Sequence, residues 1–375
     1  MSGIEEWSDK NSLNSFNSLK GLAYMEHYKN ILAWMDGKAK LMPPVECNID
    51  PYAECNLSCS MCIVQRYLRT HREEVGEMRK LPTDYLYRLV DFLASWGVNG
   101  ICLSGGGEPT LHKGMVGLPG YIVSKGMKAS IFTNGTVMTE ELVNSLLTCQ
   151  FVTLSINATD RETYKQIMGV DLFDKMLANL KYIAKRQKEL NSDSFTCVRM
   201  LILPENCRQI YNMCSMAKEI GLKGFNIRPA DYERSDIEGH HKLDLPVDEI
   251  YEQFEKCHKL EDENFKVVTT IHKFDKKFHV FNNFNRCLAS PLLINVLSNG
   301  DSYVCADRKM EERYRLGTSF PEPERILNWW GSEGHRMKLL SINPRTDCLC
   351  RCTFNQYHRQ MEEVVIKDSM MLCFP

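Results

Sequence analysis

Short apolar runs alternate with helical patterns through the first two thirds of this chain, and that alternation limits its fold more than any other feature. The runs are VECNI (45–49), GICLS (100–104), ASIFT (129–133), FVTLS (151–155), TCVRMLIL (196–203) and GFNIR (224–228). Between them TDYLYRLVDFLASWG, TEELVNSLLTC, DLFDKMLANLKYIAKRQKEL and CRQIYNMCSMAKEIG carry helical patterns, several closed by a glycine at the C-terminal cap position. Strand alternating with helix predicts a parallel sheet joined by right-handed crossovers. Six such units predict an α/β fold, a partial (β/α)6 TIM-like barrel with its ligands at the C-terminal ends of the strands.

A chain of 375 residues exceeds what one core of that kind needs, so a smaller second unit is expected. We divide it into an N-terminal helical extension (1–44), the barrel (45–235), a connecting segment (236–280) and a C-terminal unit (281–375). In the extension, Leu22, Met25, Tyr28, Leu32 and Met35 recur at three- and four-residue steps, predicting a helix that ends near Gly37 and Pro43-Pro44. The net charge of -2 argues against a nucleic-acid partner. No signal-like N-terminus or long apolar stretch points to a membrane, so a cytoplasmic location is expected. The 16 cysteines are then thiols, metal ligands or catalytic groups rather than disulfides.

Three of them, Cys55, Cys59 and Cys62, fall within eight residues in the loop after the first strand. Three is an odd number for a closed zinc site or for disulfides, although a remote residue could complete a zinc site and core packing would also bury thiols. A 4Fe-4S cube held by three cysteines leaves one iron open. The C-x3-C-x2-C spacing resembles the cluster motif of the radical S-adenosylmethionine (SAM) enzymes. That resemblance implies SAM chelated to the open iron and cleaved to methionine and a 5'-deoxyadenosyl radical.

SGGGEPT (104–110) follows the second strand, where the family carries its Gly-Gly-Glu element. Glycines let backbone approach a ligand, and a carboxylate accepts hydrogen bonds from an ammonium. By resemblance, Gly106, Gly107 and Glu108 would hold the SAM amino group. TNGT (133–136), with Asn134, and SINA (155–158), with Ser155 and Asn157 toward the ribose or the methionine carboxylate, also resemble family elements. The likeness covers about residues 45 to 230. Two departures stand out. Met61 replaces the usual aromatic residue before the third cysteine, leaving adenine contact to backbone and thioether. Asn157 replaces an aspartate, and the following helix lacks the arginine that pairs the SAM carboxylate. Arg199 and Arg228, on the fifth and sixth strands, are the substitutes, although either could serve an internal salt bridge.

A second cysteine group follows. Cys287 and Cys305 bracket LLINVL, the turn Ser298-Asn299-Gly300-Asp301 and SYVC, which predicts a β-hairpin. After the helical pattern ILNWWGSEGHRMKLLSI come Cys348, Cys350 and Cys352. The order C-x12-G-x4-C followed by close cysteines resembles the SPASM and Twitch extensions of radical SAM enzymes. The longer series of a full SPASM domain is absent. The resemblance implies one auxiliary 4Fe-4S cluster on Cys287, Cys305, Cys348 and Cys352, with Cys350 the rival at either distal place; four thiolates serve zinc equally well. Of the other cysteines, Cys207 and Cys373 are conceivable hydrogen-atom donors, without a motif behind either.

Residues 228–241, RPADYERSDIEGHH, follow the sixth strand and offer Arg228, Asp231, Tyr232, Glu233 and His240 to a polar substrate or to solvent. Peptide-modifying relatives carry a sizeable peptide-binding domain before the cluster motif, and here only one helix and its linker precede it. The expected activity is therefore oxidation of an alcohol carbon in a sugar, aminosugar or nucleotide-sugar-like small molecule. The auxiliary cluster would accept the electron, and a flavodoxin or ferredoxin would act as reductant. The alternatives are a peptide maturase or epimerase and, more distantly, a non-catalytic zinc protein.

Overall fold

The computed structural model describes residues 18–62, 64, 80–230, 244–348 and 352–366. All six expected strands form: β1 (Glu46–Ile49), β2 (Gly100–Leu103), β3 (Lys128–Thr133), β4 (Phe151–Ser155), β5 (Phe195–Ile202) and β6 (Gly224–Pro229). They pair in parallel, in chain order. Two further strands extend the sheet beyond the six expected, giving the order β7-β6-β5-β4-β3-β2-β1-β8. β7 (Lys266–Thr269) comes from the connecting segment and pairs with β6. β8 (Leu293–Val296) comes from the C-terminal unit and pairs parallel with β1.

The C-terminal unit does form an antiparallel hairpin, but from other strands than expected. The chain does reverse at Gly300, whose φ of 84° requires glycine, but β9 (Asp301–Tyr303) pairs antiparallel with β10 (Arg315–Thr318) instead of β8. One side chain bridges the two sheets: Asn295 donates from Nδ2 to the Tyr303 carbonyl at 2.8 Å and accepts from the Tyr303 N–H at 3.1 Å. β8 is drawn to β1 because its backbone groups find a full ladder there.

The helices follow the apolar periodicity. Along Thr83–Trp96, Tyr85, Leu86, Leu89, Val90, Phe92 and Leu93 are buried against the sheet, each large apolar side chain contributing about 1.5–3 kcal/mol, and Gly97 at φ 101° stops the helix. The N-terminal helix, Met25–Met35, buries Tyr28, Ile31 and Trp34, while Leu22 is 70% exposed. Leu22 sits in a 3-10 stretch, Ser18–Tyr24, whose three-residue turn rotates it off the buried stripe. The pattern 326–342 is broken by Gly331 (φ 70°) into Ile326–Trp329 and Glu333–Leu340. Among the described residues no helix is long and apolar enough to cross a membrane.

The two faces of the sheet differ. Val152, Leu154, Val198, Met200, Ile202, Phe225 and Ile227 point to the helices and are fully buried. Alternate residues point inward, among them Ser130, Thr153, Ser155, Arg199, Asn226 and Arg228. A barrel filled for packing alone would carry branched apolar side chains there. This inner face is polar, as a ligand-bearing lumen requires.

Candidate active site

The loop bearing Cys55, Cys59 and Cys62 is fastened on three sides. Before Cys55, the glycine loop that follows β2 lies along residues 52–54: the Gly107 N–H donates to the Tyr52 carbonyl at 3.0 Å and the Glu108 N–H to the Glu54 carbonyl at 2.9 Å. A Cβ on Gly107 would lie 2.0 Å from the Glu54 oxygen, so only glycine fits. Beside Cys55, Asn56 donates to Thr136 Oγ1 at 2.8 Å and accepts from Asn134 Nδ2 at 2.9 Å. Beyond it, the Ser58 and Ser60 N–H groups donate at 3.0 and 2.8 Å to the Met168 and Ile167 carbonyls, the open end of helix Arg161–Met168.

The three thiols are half-buried. Cys55 Sγ accepts from the Leu57 N–H at 3.4 Å and from Asn134 Nδ2 at 3.8 Å, and Cys59 Sγ lies 3.8 Å from Met168 Sδ. Burial pushes the Cys59 thiol up to about 12, with the Cys62 and Cys55 thiols acting the same way. Among the described residues no three His, Cys, Asp or Glu side chains close on a single metal ion. A cube distributes its ligands over separate irons, so three soft thiols spread along one loop, with N–H groups aimed at sulfur, suit a cluster better than an ion.

Glu108 is 2% exposed, and its carboxylate is engaged within the protein. Oε1 accepts from the Thr110 N–H (3.0 Å), Thr110 Oγ1 (2.6 Å) and Thr133 Oγ1 (2.6 Å), and Oε2 from the Asn134 N–H (2.7 Å). Burial raises its pKa while these four donors oppose the rise. Glu108 therefore pins the glycine loop to the end of β3. Gly106 and Gly107 keep the expected place beside the cysteine loop.

Asn134 is likewise committed, its Oδ1 accepting from the Thr136 N–H and Oγ1 at 2.9 and 2.7 Å. Asn157 accepts from the Leu201 N–H at 2.8 Å and lies 3.6 Å from Met168 Sδ, tying β4 to β5. Ser155 faces the lumen opposite Arg199. Met61 is half-buried at the edge of the main core. Cys207 is buried and donates to the Pro204 carbonyl at 3.3 Å. Asp231, Tyr232, Glu233, His240, Cys350 and Cys373 lie outside the described residues.

The second thiol group is brought together from four places in the chain. Cys348 acts electrostatically on Cys287; Asp307, Cys287 and Cys348 act on Cys305; and Cys305, Cys287 and Asp307 act on Cys352. Burial pushes all four thiols up, Cys348 to about 11. Asn282 clamps the distal pair, donating to the Cys348 carbonyl and accepting from the Cys352 N–H, both at 2.9 Å. His358 Nδ1 accepts from the Leu288 and Ala289 N–H groups at 3.0 Å each and so fixes the chain just after Cys287. The Asp307 and Phe354 N–H groups point at Cys305 and Cys352 Sγ, each at 3.3 Å. The sequence reading missed Asn282, His358, Asp50, Lys273 and Lys309, which belong to no motif.

A partial parallel barrel with three thiols after its first strand and a glycine loop latched beside them is the arrangement that the resemblance to radical SAM enzymes implies. Residues 49–217 match the family model described as "Radical SAM superfamily", whose members use a 4Fe-4S cluster and SAM, and the fold is consistent with a member of that superfamily. It is 28% identical over 200 residues to the AdoMet-dependent heme synthase of Methanosarcina barkeri, covering 48% of this chain and 54% of that one. It is 30% identical over 147 residues to a probable GTP 3',8-cyclase of Pyrococcus abyssi, covering 38% and 44%. The matches thus span about half the length of these relatives. Among solved structures, Streptococcus suis SuiB bound to S-adenosylmethionine superposes with a TM-score of 0.63 at 18% identity, covering 88% of this chain and 75% of SuiB. AnSMEcpe with bound AdoMet gives 0.54 at 17%, covering 86% and 96%. At such identities the likeness speaks for the fold alone.

Proposed function

We propose that this protein is a radical SAM oxidoreductase that takes a hydrogen atom from an alcohol carbon of a polar small molecule in the barrel lumen. The hydroxyl proton leaves to a base and the surplus electron passes to an auxiliary 4Fe-4S cluster. The observation that carries this reading is the convergence of Cys287, Cys305, Cys348 and Cys352, four soft donors that act on one another electrostatically. When bound, the first cluster and SAM supply a hydrogen-abstracting radical, and the second cluster supplies an electron acceptor. The chain's own residues position and enclose: Glu108 and Asn134 hold the glycine loop against the cysteine loop, Gly106 and Gly107 offer backbone to the SAM amino group, and Arg199 faces its carboxylate. The reductant is a flavodoxin or ferredoxin, in a compartment that keeps 16 cysteines reduced.

A peptide substrate is the second reading. It is favoured by the extent of the fold likeness to two proteins solved with peptides: SuiB bound to the precursor peptide SuiA, over 90% of this chain, and anSMEcpe with the Cp18Cys peptide, over 86%.

A Cys55/Cys59/Cys62 triple alanine variant, reconstituted without oxygen, tests the assignment. Retention of about four irons per chain is expected from a second cluster. An iron-free variant would remove the electron acceptor, leaving redox-neutral chemistry such as epimerisation.

A further inference from the structure

Two arginines of the lumen carry buried Nε–H groups that meet no acceptor among the described residues. Arg199 on β5 and Arg228 on β6 point inward from adjacent strands, Arg228 pairing in register with Leu201. Lys273, four residues beyond β7, is fully buried; its Nζ donates to Thr353 Oγ1 at 3.4 Å, and that hydroxyl donates to Asp307 Oδ2 at 3.3 Å. The guanidinium of Arg199 lies 5.0 Å from the Phe132 ring centroid. Among the described residues Asp307 is the single carboxylate acting on Arg228, and it acts on Lys273 too.

The electrostatic signature is burial of the three cations, with Arg228 acting against the charge of Arg199 and Lys273. Burial, then Arg228, holds Arg199 down to about 9; burial holds Arg228 to about 10; burial, then Arg228, holds Lys273 to about 7. The Nε–H groups of Arg199 and Arg228 are sealed from water and have no acceptor among the described residues. A buried donor left without a partner, on a charged group especially, is costly, and it persists where a ligand repays it. SAM brings one carboxylate. Arg199 sits opposite Ser155, one strand nearer the cysteine loop than Arg228, and is the better placed to meet it. Arg228 is then left over, with Lys273 beside it.

We propose that Arg228, flanked by Lys273, anchors an oxyanion group, carboxylate or phosphate, on the substrate that enters the lumen. This deepens the reading above and rests on it for the presence of a substrate in the barrel. It narrows the substrate class to anionic molecules and orients the substrate: the anionic end lies on the β6–β7 side, and the carbon that loses hydrogen lies toward β1.

The test is isothermal titration of the full chain, reconstituted without oxygen and saturated with SAM, using pyrophosphate and succinate as probes at fixed ionic strength. Saturable one-site binding of at least one probe is expected. In Arg228→Gln its Kd should rise at least about tenfold with iron content unchanged, and Arg228→Lys should recover part of the loss. If Arg228→Gln does not fold, Lys273→Met reads the same loss. Preference for pyrophosphate assigns a phosphorylated substrate, and preference for succinate a carboxylate. The proposal is overturned if neither probe saturates the wild type, or if the variants bind as tightly as it does. SAM cleavage measured in the same preparation separates the two readings. Anion binding without cleavage keeps this site and sinks the radical reading; cleavage without anion binding does the reverse.

Discussion

Lys309 Nζ lies 2.7 Å from Asp50 Oδ2, joining the residue that follows β1 to the segment that follows Cys305. Asp50 is 2% exposed and its Oδ1 also accepts from Ser104 Oγ at 3.2 Å, at the start of the glycine loop. One buried ion pair thus links the cysteine loop's root, the glycine loop and the second thiol group. Lys309→Met leaves Asp50 charged and buried and should cost about 3–5 kcal/mol, whereas adding Asp50→Asn should return part of that loss. Denaturant unfolding of the single and double variants measures both.

Glu108→Gln keeps the shape of the side chain but turns one acceptor oxygen into a donor. At least one of Thr110, Thr133 and Asn134 then loses its partner, at a cost of about 1–3 kcal/mol. The expected result is a protein that retains the iron of its three-cysteine site but binds SAM more weakly. Iron analysis together with equilibrium SAM binding separates these effects. Equal SAM affinity would mean the latch is dispensable.

Two glycines that touch the cysteine loop should tolerate no side chain. In Gly107→Ala the new methyl meets the Glu54 carbonyl oxygen at 2.0 Å, and in Gly169→Ala, where φ is 75°, it meets the Ser58 oxygen at 2.6 Å. Both obstacles are backbone and cannot swing aside. Each variant should lose SAM cleavage, and Gly169→Ala should also lose iron from the three-cysteine site because its clash is with the cysteine loop itself. Gly126→Ala, with nothing within 4 Å of its Cβ, is the control for the strain of positive φ alone.

His335 is buried among Trp34 and Trp330, with Nδ1 accepting from the Gly331 N–H at 3.2 Å. Burial lowers its pKa to about 3, against about 6.5 when unfolded. The folded state refuses a proton that the unfolded state takes. Its contribution to stability is therefore complete above about pH 6.5 and is lost as the pH falls toward 3, by up to about 1.4 kcal/mol per pH unit. His335→Gln cannot charge. The stability difference between wild type and this variant should shrink across that window, and a constant difference would show that His335 is protonated in the fold.

The six barrel strands, the glycine stops at Gly97 and Gly221 and the place of Cys55, Cys59 and Cys62 were legible in the sequence, because periodicity, caps and closely spaced ligands are local properties. The partnership of β8 with β1 was not, since a hairpin turn is a local signal while the choice of sheet depends on which distant edge is free. Nor was the fate of Glu108: the motif announces a carboxylate, but whether it meets a ligand or Thr110, Thr133 and Asn134 depends on how three loops converge. Arg199 and Arg228 could be singled out as strand arginines. That they share a lumen with Lys273, a residue in no motif, follows only from the sheet bringing β5, β6 and the segment after β7 side by side. Sequence by itself determined the elements and the soft-metal chemistry; tertiary structure decided which polar groups are satisfied by the protein and which are left for a ligand, because burial and partnership are made between elements and not within them.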